Sequence, residues 1–259
     1  MNFKNTFVIA EIGSNHNNNL NMAKKMIIAA KKCGADAVKF QLFKSEKLYL
    51  QKDPRQKLLA KFQVDPRWVS ILKKFADKKK IIFFASPFDN ESVDLLIKNG
   101  IKIIKIASPE IRDDLLIEHI AKKRKFIILS TGVSSIKEVI RAKKIINKYH
   151  NNLAILQCSS IYPCPPEDLN LLVLKEYKRK FKNTLGFSDH SLSVFPSIVA
   201  VSLGARIIEK HFTLNRSLEG PDHLISMEPK EFKQMIQGIR LAEKSIGNLK
   251  KKILKKESL

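Results

Sequence analysis

Gly186-Phe187-Ser188-Asp189-His190 and Ile207-Ile208-Glu209-Lys210-His211-Phe212 decide how this chain is read. Each is an apolar run carrying a histidine at or near its end, and a helix-like segment, Val194 to Leu203, lies between them. Two strands joined through a helix run parallel and, when paired, lie about 5 Å apart. Both imidazoles then reach one metal ion from the same end of a sheet, giving an open Mn²⁺, Mg²⁺ or Zn²⁺ site completed by water and substrate oxygen. A lone histidine at a strand end is more often structural; the pairing is what turns the reading toward a metal. Glu209 alternates onto the face of His211 and is expected to tune the ion from behind its ligands.

Outward from that pair, the same unit repeats. Short β-branched or aromatic runs bounded by turn residues occur at Phe7–Ile12, Ala35–Gln41, Ile81–Ala85, Ile101–Ala107, Phe126–Leu129, Leu153–Cys158, Thr184–Phe187 and Ala205–Phe212. Segments with apolar residues at helical spacing follow them, such as Met22, Met26, Ile27 and Ala30, or Ile136, Val139, Ile140 and Ile145. The expected fold is therefore α/β, a (β/α)8 TIM barrel, for which about 250 residues is typical. A doubly wound open sheet would favour a glycine-rich first turn, and Gly13-Ser14-Asn15-His16 is not one. The barrel is expected over 1–247, with a basic tail or linker over 248–259. Leu42–Asp65 is too long for an ordinary connection and is expected to be a lid or interface element.

Composition narrows the functional classes. With 259 residues and 44% hydrophobic content the chain can bury a large core. Its formal charge is +23, but of 48 basic residues only 9 are arginine, and the lysines are scattered without aromatic interleaving. Nucleic-acid recognition leans on arginine, so the charge reads as a solvated surface whose field attracts anionic substrates, with no nucleic-acid partner. Cys33, Cys158 and Cys164 show no CxxC spacing and read as reduced thiols, Cys33 and Cys158 as small core residues. No signal peptide or membrane span is found, so a cytoplasmic protein with no membrane partner is expected.

In a barrel of this kind the active site lies at the C-terminal strand ends, and that is where the polar residues fall: Glu11, Lys39, Gln41, Ser86, Lys105, Ser108, Ser130, Ser159-Ser160, Ser188, His190 and His211. Alternation places Lys39 and Gln41 on one face. Two lysines embedded in strands imply a doubly charged anion, such as a phosphate bearing a carboxylate, unless each snorkels to water. Ser86, Ser108, Ser130 and Ser188 suit helix caps or phosphate ligands, and the two roles are compatible. Glu11 and Glu110 could handle protons or sugar hydroxyls, or salt-bridge the lysines. His16 could position substrate or serve an N-terminal cap. No Gly-x-Ser-x-Gly elbow exists, so a serine nucleophile is not expected.

Taken together, Ile9 to His16, Val38-Lys39-Phe40-Gln41, Ser86-Pro87-Phe88, Lys105-Ile106-Ala107-Ser108, Leu129-Ser130-Thr131-Gly132, Cys158 to Pro163, Ser188-Asp189-His190, Glu209 to Phe212 and Gly220-Pro221-Asp222-His223 closely resemble the N-acetylneuraminate (sialic acid) synthase family. The match runs in order from about Phe7 to Gly238. The resemblance implies condensation of phosphoenolpyruvate with an open-chain amino-sugar aldehyde by a homodimer. It also implies a divalent metal, commonly Mn²⁺ with Mg²⁺ or Co²⁺ as alternatives, held by His190 and His211. Lys39, Ser86, Lys105, Ser108, Ser130, Ser160 and Ser188 would cradle phosphoenolpyruvate. Glu11, Gln41, Tyr162 and Asp222 would face the sugar, Phe88 would line its pocket, and Glu110 would stand near the reacting carbons. Asn18 and Pro109 stand where the family usually has glycine. Family members continue into an antifreeze-protein-like domain whose arginine, from a partner chain, reaches the sugar's N-acetyl group; this sequence stops at Leu259, which leaves a non-catalytic sugar- or metal-binding barrel as the second reading.

Overall fold

The computed structural model describes residues 5–48, 53–247, 253 and 255–257. Eight strands, β1 (Phe7–Gly13), β2 (Ala37–Leu42), β3 (Ile82–Pro87), β4 (Ile103–Ile106), β5 (Phe126–Ser130), β6 (Leu153–Cys158), β7 (Thr184–Asp189) and β8 (Ile207–His211), close into one barrel in chain order. Every pairing is parallel, including β1 with β8. Strands covered on both faces need apolar residues throughout, which is why they read as continuous runs rather than as alternating ones. All eight expected strands are present, but the apolar runs stop short at several C-terminal ends. The ladder continues through Ser86-Pro87, Ser130 and Ser188-Asp189, where side chains turn polar while the backbone stays paired.

The outer layer follows from caps and apolar stripes. The helices of the repeating unit are α1 (Leu20–Cys33), α4 (Trp68–Lys78), α5 (Asn90–Lys98), α6 (Asp114–Lys122), α7 (Ile136–Asn147), α8 (Val173–Lys180), α9 (Phe195–Ser202) and α10 (Pro229–Ile246), with α2 (Ser45–Leu48) and α3 (Pro54–Ala60) between β2 and α4. Asn19, Asp89 and Asp113 cap α1, α5 and α6 through their side chains, and Ser135 with Glu138 forms a capping box on α7. None of these is a strand-end serine. Ser108 precedes a short 3₁₀ turn, Pro109–Arg112, without capping it. The capping alternative for Ser86, Ser108, Ser130 and Ser188 therefore falls away.

Asn18 adopts φ 48°, as expected for asparagine in a place that suits glycine. The described part of the long β2–α4 connection is tied to α5, where Glu91 receives both Lys44 and Lys47. Cys33, Cys158 and Cys164 are free and buried. No helix among the described residues is long and apolar enough to cross a membrane. Most of 248–259, read above as a linker, lies outside the described residues.

Gly186 marks the tightest junction of the histidine-bearing strands. A Cβ there would lie 2.5 Å from the carbonyl oxygen of Ile207 and 2.8 Å from its Cβ. Gly186→Ala should therefore force β7 and β8 apart and cost about 2 kcal/mol, read as a fall in the urea midpoint at unchanged slope.

Candidate active site

A cavity of about 200 Å³ opens at the C-terminal end of the barrel. Glu11, Lys39, Gln41, Lys105, Ser108, Ser130, Ser188, His190 and His211 line it from the strand ends, with Phe88 and Tyr162 on the following loops. Hollows of about 580 and 600 Å³ lie elsewhere, beneath the β2–α4 connection and at the opposite end of the barrel. Neither gathers buried charge as the smaller cavity does, and the chemistry singles out the latter.

Four ionisable groups meet inside it. Lys39 Nζ lies 2.9 Å from Glu11 Oε2 and 3.7 Å from Glu209 Oε2, and Lys105 Nζ lies 3.4 Å from Glu209 Oε1. Both lysines are buried, at 3% and 2% exposure, so neither snorkels to water. Lys39 also donates to Ser86 Oγ at 3.0 Å, which places Ser86 beneath the lysine rather than on the cavity wall. Glu209 accepts from Ser188 Oγ at 3.0 Å. Glu209 therefore engages the lysines more directly than the histidine it was expected to tune. In the unliganded cavity the two lysines that were read as seeking a doubly charged anion are paired with Glu11 and Glu209.

Burial pushes the Glu11 carboxyl up to about 7, aided by repulsion from Glu209 and opposed by Lys39. For Glu209 burial also acts upward, but Lys105, Lys39, the Ser188 hydroxyl and His211 together hold it down at about 2. Burial dominates at Lys105, whose value falls; at Lys39 burial is outweighed by Glu11 and Glu209, and the value rises. Glu11 is thus the group in this cluster that exchanges a proton near neutrality. Its folded value lies above the unfolded one, so it favours the folded state at low pH and loses that contribution as pH rises through about 7. Glu209 is the reverse, contributing above its ordinary value and losing it as pH falls through about 2.

Hydroxyls and an amide collect on the β4–β6 side. The amide of Gly132 donates to Ser108 Oγ at 3.0 Å, and a Cβ on Gly132 would fall 2.2 Å from Ser160 Oγ and 2.9 Å from Ser108 Oγ. Any side chain at 132 would have to push both serine hydroxyls aside. Ser130 Oγ and Ser160 Oγ are buried without a protein partner, as is Glu110 Oε2. Glu110 does not line the cavity; it lies on the turn behind Pro109, and burial pushes its carboxyl up. Asp222 stands at the mouth, where Ser14 Oγ donates to it at 2.8 Å. Gln41 Nε2 donates to Glu11 Oε1 at 3.1 Å.

The histidines meet as β7 and β8 require. Ser188 pairs with Glu209 and Asp189 with Lys210, so the next residues, His190 and His211, stand abreast with ring centroids 5.6 Å apart. The Nδ1–H of His190 donates to the Ser159 carbonyl at 2.7 Å; burial lowers this imidazole, but Cys158 and the Ser159 carbonyl outweigh it and hold it above its ordinary value. His211 Nδ1 is buried without a partner, and burial brings this imidazole down to about 4, so it is neutral. Tyr162 lies over His190 at 4.1 Å between ring centroids. Among the described residues no third His, Cys, Asp or Glu joins the pair to make a metal-holding group.

The sequence reading gave Cys158 and Gly132 no part in the site. Cys158 lies 3.8 Å from His190 Nδ1 and accepts from Ser108 Oγ at 3.5 Å. It was read as core filling, and its position as the last residue of β6 was the available signal. His16, open between substrate contact and cap, is fully buried between Phe40 and Trp68 and accepts from the Asn18 amide.

The NeuB family model matches residues 26–251 of this chain. The chain belongs to the NeuB family. It is 41% identical over 271 residues to the N,N'-diacetyllegionaminic acid synthase of Campylobacter jejuni, covering 98% of this chain and 81% of that one. The N-acetylneuraminate-9-phosphate synthase of Homo sapiens is 33% identical, over 96% of this chain and 73% of its own. A crystal structure of the N-acetylneuraminic acid (sialic acid) synthetase of Leptospira borgpetersenii, in complex with citrate, superposes with a TM-score of 0.95 at 36% identity, over 98% of this chain and 89% of that one.

This NeuB-family barrel should show a carboxylic acid C=O band in infrared difference spectra between pH 6 and 8, centred near the Glu11 value of about 7. The band should vanish in Glu11→Gln, and its persistence there would assign the proton elsewhere.

Proposed function

We propose that this chain is a nonulosonic acid synthase, joining phosphoenolpyruvate to the aldehyde of an N-acetylhexosamine, N-acetylmannosamine or a related diacetamido sugar, with release of phosphate. The observation that carries the reading is the convergence of Lys39 and Lys105, buried and facing one small cavity, with hydroxyls left unpartnered beside them. The names of the related synthases and the sequence motifs agree with it.

The ammonium groups of Lys39 and Lys105 hold the carboxylate and phosphate of phosphoenolpyruvate. Ser108, Ser130, Ser160 and the turn at Gly132 offer donors to the phosphate oxygens. Glu11, Gln41, Tyr162 and Asp222 orient the sugar, and Phe88 closes the wall. The C2=C3 π electrons of phosphoenolpyruvate form the new bond from C3 to the aldehyde carbon; water adds to C2 and releases one proton to solvent, and as the C2–O bond to phosphate breaks the C2 hydroxyl becomes the ketone, its proton leaving with the phosphate. The aldehyde oxygen gains a proton, a role we assign to Glu11, which burial keeps protonated through the lower half of the neutral range. Ser188 and Glu209 keep the lysines oriented through the sequence.

His190 and His211 fit a divalent metal, Mn²⁺ by the family resemblance. Ligating histidines ordinarily donate their other ring N–H to a carbonyl or carboxylate, as His190 does to Ser159. A ligated imidazole nitrogen lies about 2 Å from its metal, so rings 5.6 Å apart are within reach of one ion. Two protein ligands leave an open site, whose ion would polarise a carbonyl oxygen.

The test is phosphate release from phosphoenolpyruvate with Mn²⁺ across a panel of hexosamines. Release with at least one sugar is expected; none with any, in a folded protein, overturns the synthase reading and favours a binding barrel. Lys105→Ala should raise KM for phosphoenolpyruvate by about tenfold or more, as loss of a charge-assisted contact requires. An unchanged KM would remove Lys105 from the anion site.

A further inference from the structure

Behind the two histidines, on the outer face of the barrel, lies a second buried charge pair. Asp189 and Lys210 are cross-strand partners on β7 and β8, each one residue before a histidine. Alternation turns them away from the cavity while His190 and His211 turn into it. Their exposures are 0% and 2%, and Lys210 Nζ lies 2.9 Å from Asp189 Oδ2.

Both charges make further hydrogen bonds. Asp189 also accepts from the Ser191 amide at 2.9 Å and from Ser197 Oγ on α9 at 2.7 Å. Lys210 Nζ donates in addition to the carbonyl of Ser191 at 2.5 Å, to Ser191 Oγ at 3.1 Å and to the carbonyl of Ser193 at 3.2 Å. The chain leaving His190 is thereby fastened to the residue that precedes His211.

Stability does not call for this arrangement. Apolar side chains of similar volume commonly do as well as a buried ion pair, or better. What the pair adds is register. A slip of one residue between β7 and β8 would turn His211 outward and strand Lys210 in the cavity, and it would also leave Asp189 and Lys210 buried without each other.

We infer that Asp189 and Lys210, with Ser197, are positioning residues that set the spacing and aim of the His190–His211 pair. The inference rests on the proposed metal-binding role of those histidines.

The experiment is titration of the metal-free protein with Mn²⁺ alone, following free Mn²⁺ by electron paramagnetic resonance, alongside thermal melting. The double variant Asp189→Leu/Lys210→Met should stay folded and bind Mn²⁺ about tenfold more weakly, as loss of support behind a ligand does. Ser197→Ala, which removes one hydrogen bond and leaves the ion pair, should weaken binding about threefold at little change in melting. Affinity unchanged in a folded double variant, or in Ser197→Ala where the double variant fails to fold, overturns the inference. Absence of binding by the wild type, or its retention in His190→Ala, overturns the metal reading instead. The imidazole ¹⁵N resonances of His190 and His211 in the metal-free protein then decide the positioning role: displaced in the variants if it holds, unmoved if it does not.

Discussion

Charge buried inside a closed barrel must be matched by charge from other strands, and the active end of this molecule is built on that constraint. Taking a carboxylate or an ammonium out of water costs several kcal/mol even after relaxation. Glu11 on β1, Lys39 on β2, Lys105 on β4 and Glu209 on β8 meet that cost only in one another's company. Since Glu209 on β8 comes beside β1 only when the barrel closes, and Lys105 reaches it from β4 across the interior, the cluster and the closure support each other.

The same cluster shapes how an anion could be received. Lys39 and Lys105 are already balanced, so a doubly charged ligand adds excess negative charge unless something yields. Glu11 is the group able to yield, since burial keeps its carboxyl near neutrality while Glu209 is held firmly ionised. An incoming anion would therefore be accommodated at least cost when Glu11 carries a proton.

Alternation lets β7 and β8 serve two purposes at once. Ser188, His190, Glu209 and His211 face the cavity, while Asp189 and Lys210 form a separate pair against α9. The close approach at Gly186 sets the distance between the strands, and the outer pair resists a change in their register. Hydroxyls follow a similar division. The helices are capped by Asn19, Asp89, Asp113 and Ser135, which leaves the strand-end serines without that task.

The eight strands and the direction of their polar ends were legible in the sequence, because a strand covered on both faces must be apolar until it reaches the mouth. The histidine pair was legible too, since period-two alternation and a short crossover place residues 190 and 211 side by side whatever the details. Partner choice was not. Glu209 was expected to serve His211, but Lys39 and Lys105 arrive from strands remote in sequence and claim its carboxylate. Cys158 read as core filling because nothing local to Leu156-Gln157-Cys158 reveals that His190 and Ser108 come to lie beside its sulfur. Glu110 read as a carboxylate for protons or sugar hydroxyls; it sits on the turn after Pro109, buried and within the field of Lys105 and Lys39. Local sequence determines which face and which end of a strand a residue occupies; which charge stands opposite it is settled only when eight strands close, because that distance is set by the circumference of the barrel and not by the chain.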